Sequence, residues 1–236
     1  MACRHHYVSL VVLRASLSAV FAIFLSVLFL RPTTVLAAGV VGTGTPESCT
    51  EAALDDALAG GGLVTFNCGM EPVTIALTAE KVITAETAKT TVDGAGLVTL
   101  SGGDAVRVFN VNEGAALEVQ YLTVANGDGR TASGGGIYNE GTLTVTNSTL
   151  RDSSARYGGG IYNEGSLDVT NSTLSGNSGG GAGGIWNEGA ANISNSTLTA
   201  NTANRVGTFG GFGGGILNYS GTAQVINSTI AASPAS

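Results

Sequence analysis

The chain has 236 residues, 36 of them glycine, with 43% apolar and only 11% charged. That apolar content excludes a disordered chain, because enough burial is available to offset the entropy of ordering, and the glycine content excludes an ordinary globular mixture. Seventeen acids against ten bases give a formal charge of −7, which excludes nucleic acid as a partner, since phosphate binding needs clustered Lys and Arg.

Residues 1–37 read as a secretory signal peptide. Arg4, His5, His6 and Arg14 precede an apolar run from Ala15 to Leu30, and small residues close it in Val35-Leu-Ala-Ala38. This charged, apolar, small-residue order places cleavage after Ala37. A retained anchor is the alternative, because the residues from Val8 to Leu13 lengthen the apolar stretch toward a bilayer span. Beyond residue 38 stand 17 acids and seven bases, so the mature chain carries −10 and is read as having no membrane span. Cys49 and Cys68 remain as an even pair in an exported chain, which predicts a disulfide. A metal site is the poorer reading, since no His survives in the mature chain.

Residues 38–69 read as an N-terminal cap. Ser48-Cys-Thr-Glu51 has the form of a capping box with Ser48 as N-cap. Ala53, Leu54, Ala57 and Leu58 then share one face of a short helix that Gly60-Gly-Gly62 stops. A strand, Leu63 to Asn67, follows. Residues 70–236 alternate Thr, Val, Ile and Leu with small polar residues, the period of strands. Short strands are expected at Val73–Leu77, Val82-Ile83, Thr91-Val92, Leu97–Leu100, Val106–Phe109 and Leu117–Val119.

From residue 134 the chain repeats itself. Gly134-Gly-Gly-Ile-Tyr-Asn-Glu-Gly141 returns at Gly158 to Gly165, again at Gly183 to Gly189 with Trp for Tyr, and in worn form at Gly213 to Asn218. The first three copies are 24 residues apart, counted on Ile137, Ile161 and Ile185. A glycine-punctuated period of that length is the mark of a solenoid. Three short strands and their bends fill one coil, and like strands stacked in one direction give parallel ladders about 4.8 Å apart. The predicted fold is an all-β, right-handed parallel β-helix with a capping helix. Four inner columns are expected: Ile137, Ile161, Ile185 and Ile216; Leu143 and Leu167; Val145, Val169 and Ile193; Leu150, Leu174, Leu198 and Ile230.

Three features of the repeats could carry function. Glu140, Glu164 and Glu188, with Glu113 one coil earlier, form an acidic column that either splays into solvent or binds calcium weakly through carboxylate and turn oxygens. No other cofactor is implied. Tyr138, Tyr162 and Trp186 share a position that alternation turns outward; they either stack on one another or offer a strip to sugar rings or a protein. The spacing from Ile185 to Ile216 is 31, seven longer than before, and the added residues make a candidate specificity loop carrying Arg205, Phe209 and Phe212. The Asn-Ser-Thr triplets at Asn147, Asn171, Asn195 and Asn227 match the glycosylation pattern, but their fixed spacing favours an internal asparagine hydrogen-bonding ladder. Thr144 and Thr146 hint at an ice-binding face, which Asp168 and Asn192 interrupt.

The Gly-Gly-Gly-Ile-Tyr-Asn repeats with their following Asn-Ser-Thr-Leu resemble the repeats of polymorphic outer membrane proteins and related pectin-lyase-like β-helix proteins of bacteria. Ser48-Cys-Thr, Phe66-Asn-Cys and Thr91-Val-Asp-Gly94 are similar to the leader of such exported proteins. The likeness spans about residues 46–231. It implies a secreted or cell-surface location, associated with the outer membrane, and an adhesin-like role. The end at Ser236, just after a strand and without a capping segment, reads as that of a fragment. The same fold hosts polysaccharide lyases and hydrolases, yet fold does not decide activity. The mature chain lacks His and scatters its Asp residues; Asp152 and Asp168 with Arg151 or Arg156 are the nearest to a catalytic grouping. A structural or adhesive module without catalysis is therefore expected, its partner an unidentified surface protein or polysaccharide, with end-to-end self-association of copies. A polysaccharide-binding or polysaccharide-cleaving protein is the rival.

Overall fold

A computed structural model describes residues 39–86, 89–204 and 211–235, and only the backbone at Arg130 and Thr131. The proposed signal peptide lies outside the described residues, as do Arg205 and Phe209. The rest is a parallel β-solenoid of about six turns.

Each regular coil has three faces. In the coil from residue 137 they are Ile137–Asn139, then Thr142–Thr146 with Thr149–Arg151, then Ser154–Tyr157. The middle face is thus two short strands rather than one. The bend between them falls at Asn147, whose φ is +50°, and recurs at Asn171, Asn195 and Asn227. Asparagine tolerates this left-handed conformation better than most residues with a Cβ. One coil earlier the same face is a single strand, Ala116–Ala125, which pairs with both. A tighter corner needs glycine. Gly134 and Gly158 sit at φ +68° and +61°, and a Cβ on either would meet the carbonyl of Ile137 or Ile161 at 2.4 or 2.3 Å.

All four expected columns are present. Ile137, Ile161, Ile185 and Ile216 are in register, and Phe109 and Lys81 extend the column toward the N-terminus. Leu143 and Leu167 continue into Leu117 and Ala191, and Val145, Val169 and Ile193 into Val119. Leu150, Leu174, Leu198 and Ile230 stack on Val124. The rungs from Ile137 to Leu198 are essentially buried, and each such side chain contributes roughly 1.5–3 kcal/mol over its exposed state.

Polar columns run inside as well, and they correct one expectation. The Asn-Ser-Thr asparagines do not form an internal ladder: Asn147, Asn171 and Asn195 are exposed at the left-handed bend. The following serine turns inward, so that Ser148 N donates to Ser172 Oγ, Ser172 N to Ser196 Oγ and Ser196 N to Ser228 Oγ, each at 3.1 Å. The buried asparagine ladder is instead Asn139, Asn163 and Asn187, each donating its Nδ2 to the next Oδ1 at 2.6–2.7 Å, with the exposed Asn218 as the last acceptor. Asn163 and Asn187 also donate to backbone carbonyls at the corner. Asn177 and Asn201 make a third column, with Asn177 Nδ2 2.9 Å from Asn201 Oδ1. Buried amides must be paired to be tolerated, and in a stack each supplies the next. The ladder has a first rung, where Asn139 faces Val111 and its buried Oδ1 lacks a partner.

The helix α1, Glu51–Leu58, buries Leu54 and Ala57, with Ala53 and Leu58 packed beside them. Its N-cap is Thr50, whose side chain accepts from Ala53 N at 3.2 Å. Ser48 does not cap the helix; its hydroxyl is taken by Thr43 N and Thr45 O in the preceding turn. Glu51 does not reach back either. It accepts from Thr78 N, Thr78 Oγ1, Ala79 N and Lys81 Nζ, the last at 2.7 Å. Lys81 is 5% exposed and also meets Asp55 at 2.6 Å. The predicted Cys49–Cys68 disulfide is formed, with the Cα atoms 5.7 Å apart. It fastens the strand Gly62–Phe66 to the segment leading into α1.

Candidate functional site: an aromatic and carboxylate column

Ile137 points inward, so Tyr138 beside it points outward, and the parallel register places one aromatic over another on successive coils. Tyr138 and Tyr162 have centroids 5.5 Å apart at 13°, and Tyr162 and Trp186 6.1 Å apart at 15°. Tyr219 continues the stack on Trp186 at 5.1 Å, and Tyr157 leans against its side at 4.8 Å. The Arg107 guanidinium closes the other end, 5.1 Å from the Tyr138 centroid, held by Glu80, Ser133 O and Gly134 O. Tyr162 and Trp186 are buried against Ala182 in a cluster separate from the solenoid core. Of the two readings of the strip, mutual stacking is the one seen.

The acidic column is part of the same structure. Tyr138 Oη lies 3.0 Å from Glu164 and 3.3 Å from Glu140. Tyr162 Oη donates to Glu188 at 2.6 Å, and Trp186 Nε1 donates to the same oxygen at 2.8 Å. The stacked carboxylates thus draw ring donors from their own coil and the preceding one. Burial, and then the neighbouring carboxylates, push both phenols above their ordinary pKa and keep them as donors. Glu113 does not join this column. The register offset is 28 residues at Phe109 and Ile137 but 26 at Ala116 and Thr142, so the earlier turn is two residues longer and holds Glu113 out of line.

The other candidates are scattered. Asp152 pairs with its neighbour Arg151 at 2.7 Å on an exposed bend, whereas Asp168 accepts from Asn192 on the long face. Arg156 stands over the Tyr157 ring at 5.2 Å. Among the described residues no three of His, Cys, Asp and Glu converge to hold a metal ion. No helix among them is long and apolar enough to cross a membrane. Phe212 is exposed, and its backbone N donates to Gly181 O at 3.0 Å. Gly181 lies under Trp186, where a Cβ would come within 2.0 Å of the indole ring. The end of the longer loop is thereby brought beside the aromatic column, a contact that residue spacing alone did not reveal.

A further column runs along the long face. Thr74, Thr99, Thr123, Thr149, Thr173, Thr197 and Thr229 occupy one rung position on the outer side of the long face. Alternation with the buried Leu150 and Leu174 signals it. The Thr144 position, by contrast, runs Glu118, Thr144, Asp168, Asn192 and is mixed. The chain matches no protein-family model, no curated protein and no solved structure.

Proposed function

We propose that this chain is an exported structural and adhesive module, a rigid rod that displays one surface repeatedly and performs no catalysis. The observation carrying this reading is the column of seven threonines at one rung position. A partner touching one coil finds the same hydroxyl one strand separation further along, and weak contacts repeated on a rigid frame add in avidity. The disulfide favours an oxidising compartment, and the aromatic column lends the surface stiffness rather than a ready ligand strip. The finer likeness to polymorphic outer membrane repeats and pectin-lyase-like proteins supports this role and a cell-surface location. The test is retention of residues 38–236 on an array of glycans and host-cell surfaces, alongside assay of pectin-like polymers. Retention without release of reducing or unsaturated sugars is expected. Sugar release would favour the polysaccharide-cleaving rival, and absence of retention on every surface would remove the adhesive role.

A further inference from the structure

We infer that Trp186, Glu188 and Tyr162 form a redox relay, in which an electron hole made on the indole by a one-electron oxidant passes to the phenol while Glu188 takes the proton. Trp186 Nε1 and Tyr162 Oη donate to the same atom, Glu188 Oε1, at 2.8 and 2.6 Å. The two rings stack with centroids 6.1 Å apart at 15°. The electron thus has a path from ring to ring, and the protons have one through a single carboxylate oxygen within transfer reach of both donors. Tyr157 and Tyr219 stand closer to the indole, at 4.8 and 5.1 Å. Among the described residues, however, the carboxylate bonded to the indole is shared with Tyr162 and not with them. Ring distance alone would make Tyr157 the electron donor; the shared oxygen selects Tyr162.

The protons and electrons balance within the three side chains. The oxidant removes one electron from Trp186 and is itself reduced. The indole radical cation is a strong acid and yields its Nε1 proton to Glu188. Tyr162 then supplies an electron to the indolyl radical, whose nitrogen recovers the proton from Glu188, and the phenol passes its own proton to the same oxygen. Trp186 is restored, Tyr162 becomes a neutral tyrosyl radical, and one proton remains on Glu188. Burial and the neighbouring carboxylates keep the phenol protonated beforehand, so its oxidation has to release a proton. Trp186 and Tyr162 are 6% and 8% exposed, which shields both radicals from solvent.

This activity is independent of adhesion. Trp186 is the sole tryptophan, so an indolyl signal has one origin. Azidyl radicals, one-electron oxidants that leave as azide, would be generated by pulse radiolysis in a solution of residues 38–236 and the transient spectra followed. The indolyl band is expected to decay as the tyrosyl band grows, at a rate independent of protein concentration and slower in heavy water. Tyr162→Phe removes the electron donor and should slow this phase about tenfold or more. Glu188→Gln keeps an oxygen facing both donors but cannot hold the proton, and should slow it about as much. Tyr157→Phe and Tyr219→Phe should leave the rate unchanged. Melting curves would verify that each variant remains folded. Absence of the phase, a rate proportional to protein concentration, a larger effect of Tyr157→Phe or Tyr219→Phe than of Tyr162→Phe, or indifference to Glu188→Gln would each overturn the relay.

Discussion

The coils before residue 126 and those from 137 to 203 hold their register in different ways. The earlier coils rely on individual anchors: a disulfide, a helix, and the ion pairs of Lys81 with Glu51 and Asp55, Lys89 with Glu118, and Arg107 with Glu80. Their coil lengths vary, and their strands run long, as in Thr90–Ser101. The later coils rely on repetition, with buried Asn and Ser columns in which one rung satisfies the next. The changeover falls between Val111 and Asn139, which are rung partners. An irregular coil can use any anchor that fits locally, whereas a polar ladder works only if its neighbours carry the same residue.

The largest effect should come from the apolar column common to both regions. Ile161→Ala empties a fully buried rung, and denaturant unfolding should show a loss of about 4 kcal/mol. Next comes the test of the contrast itself. Asn163→Ala leaves Asn139 Nδ2 without its Asn163 acceptor and Asn187 Oδ1 without its donor, and should cost about 3 kcal/mol. Its counterpart in the irregular region, Val111→Ala, should cost only about 2 kcal/mol; equal losses would erase the distinction.

Opening the Cys49–Cys68 bridge, which closes a sequence separation of 19 residues, should also remove about 3 kcal/mol, felt first in the leader by hydrogen exchange. The Glu51 lock is pH-dependent. Burial alone would raise its pKa, but hydrogen bonds from Lys81, Thr78 and Ala79 outweigh it and lower the value from 4.5 to about 2. Its stabilisation is therefore complete above about pH 4.5 and lost as pH falls toward 2. Glu51→Gln should flatten stability against pH across that window by about 2 kcal/mol, allowing for partial solvent access. Smallest is Tyr162→Phe, which removes one phenol donor to Glu188 and should cost about 1 kcal/mol in thermal melts.

The inner columns were legible because four copies of one motif reveal both period and parity. Parity also explains what was misread. Counting outward from the buried Ile137 places Asn139 inside and Tyr138 outside, while counting back from Leu150 places Ser148 inside and leaves Asn147 at the bend. Identical spacing does not by itself single out the triplet asparagine, because every residue of a repeat shares that spacing. The capping box failed for a different reason. Its pattern is local, and Glu51 is claimed by Thr78 and Lys81, partners 27 and 30 residues away. The bonds between the Glu and aromatic columns were open to the same reasoning, since the two columns lie two residues apart on adjoining rungs.

Ile185 and Ile216 are rung partners despite 31 intervening steps of chain, and Leu198 and Ile230 pair beyond them. The fold therefore absorbs a change of length at the corner after Thr202–Ala203 without disturbing the ladders on either side. A peptide cassette grafted there would alter what the rod presents while the winding that carries it stays the same. Variation at such a corner lets one scaffold acquire new recognition without having to solve its folding again.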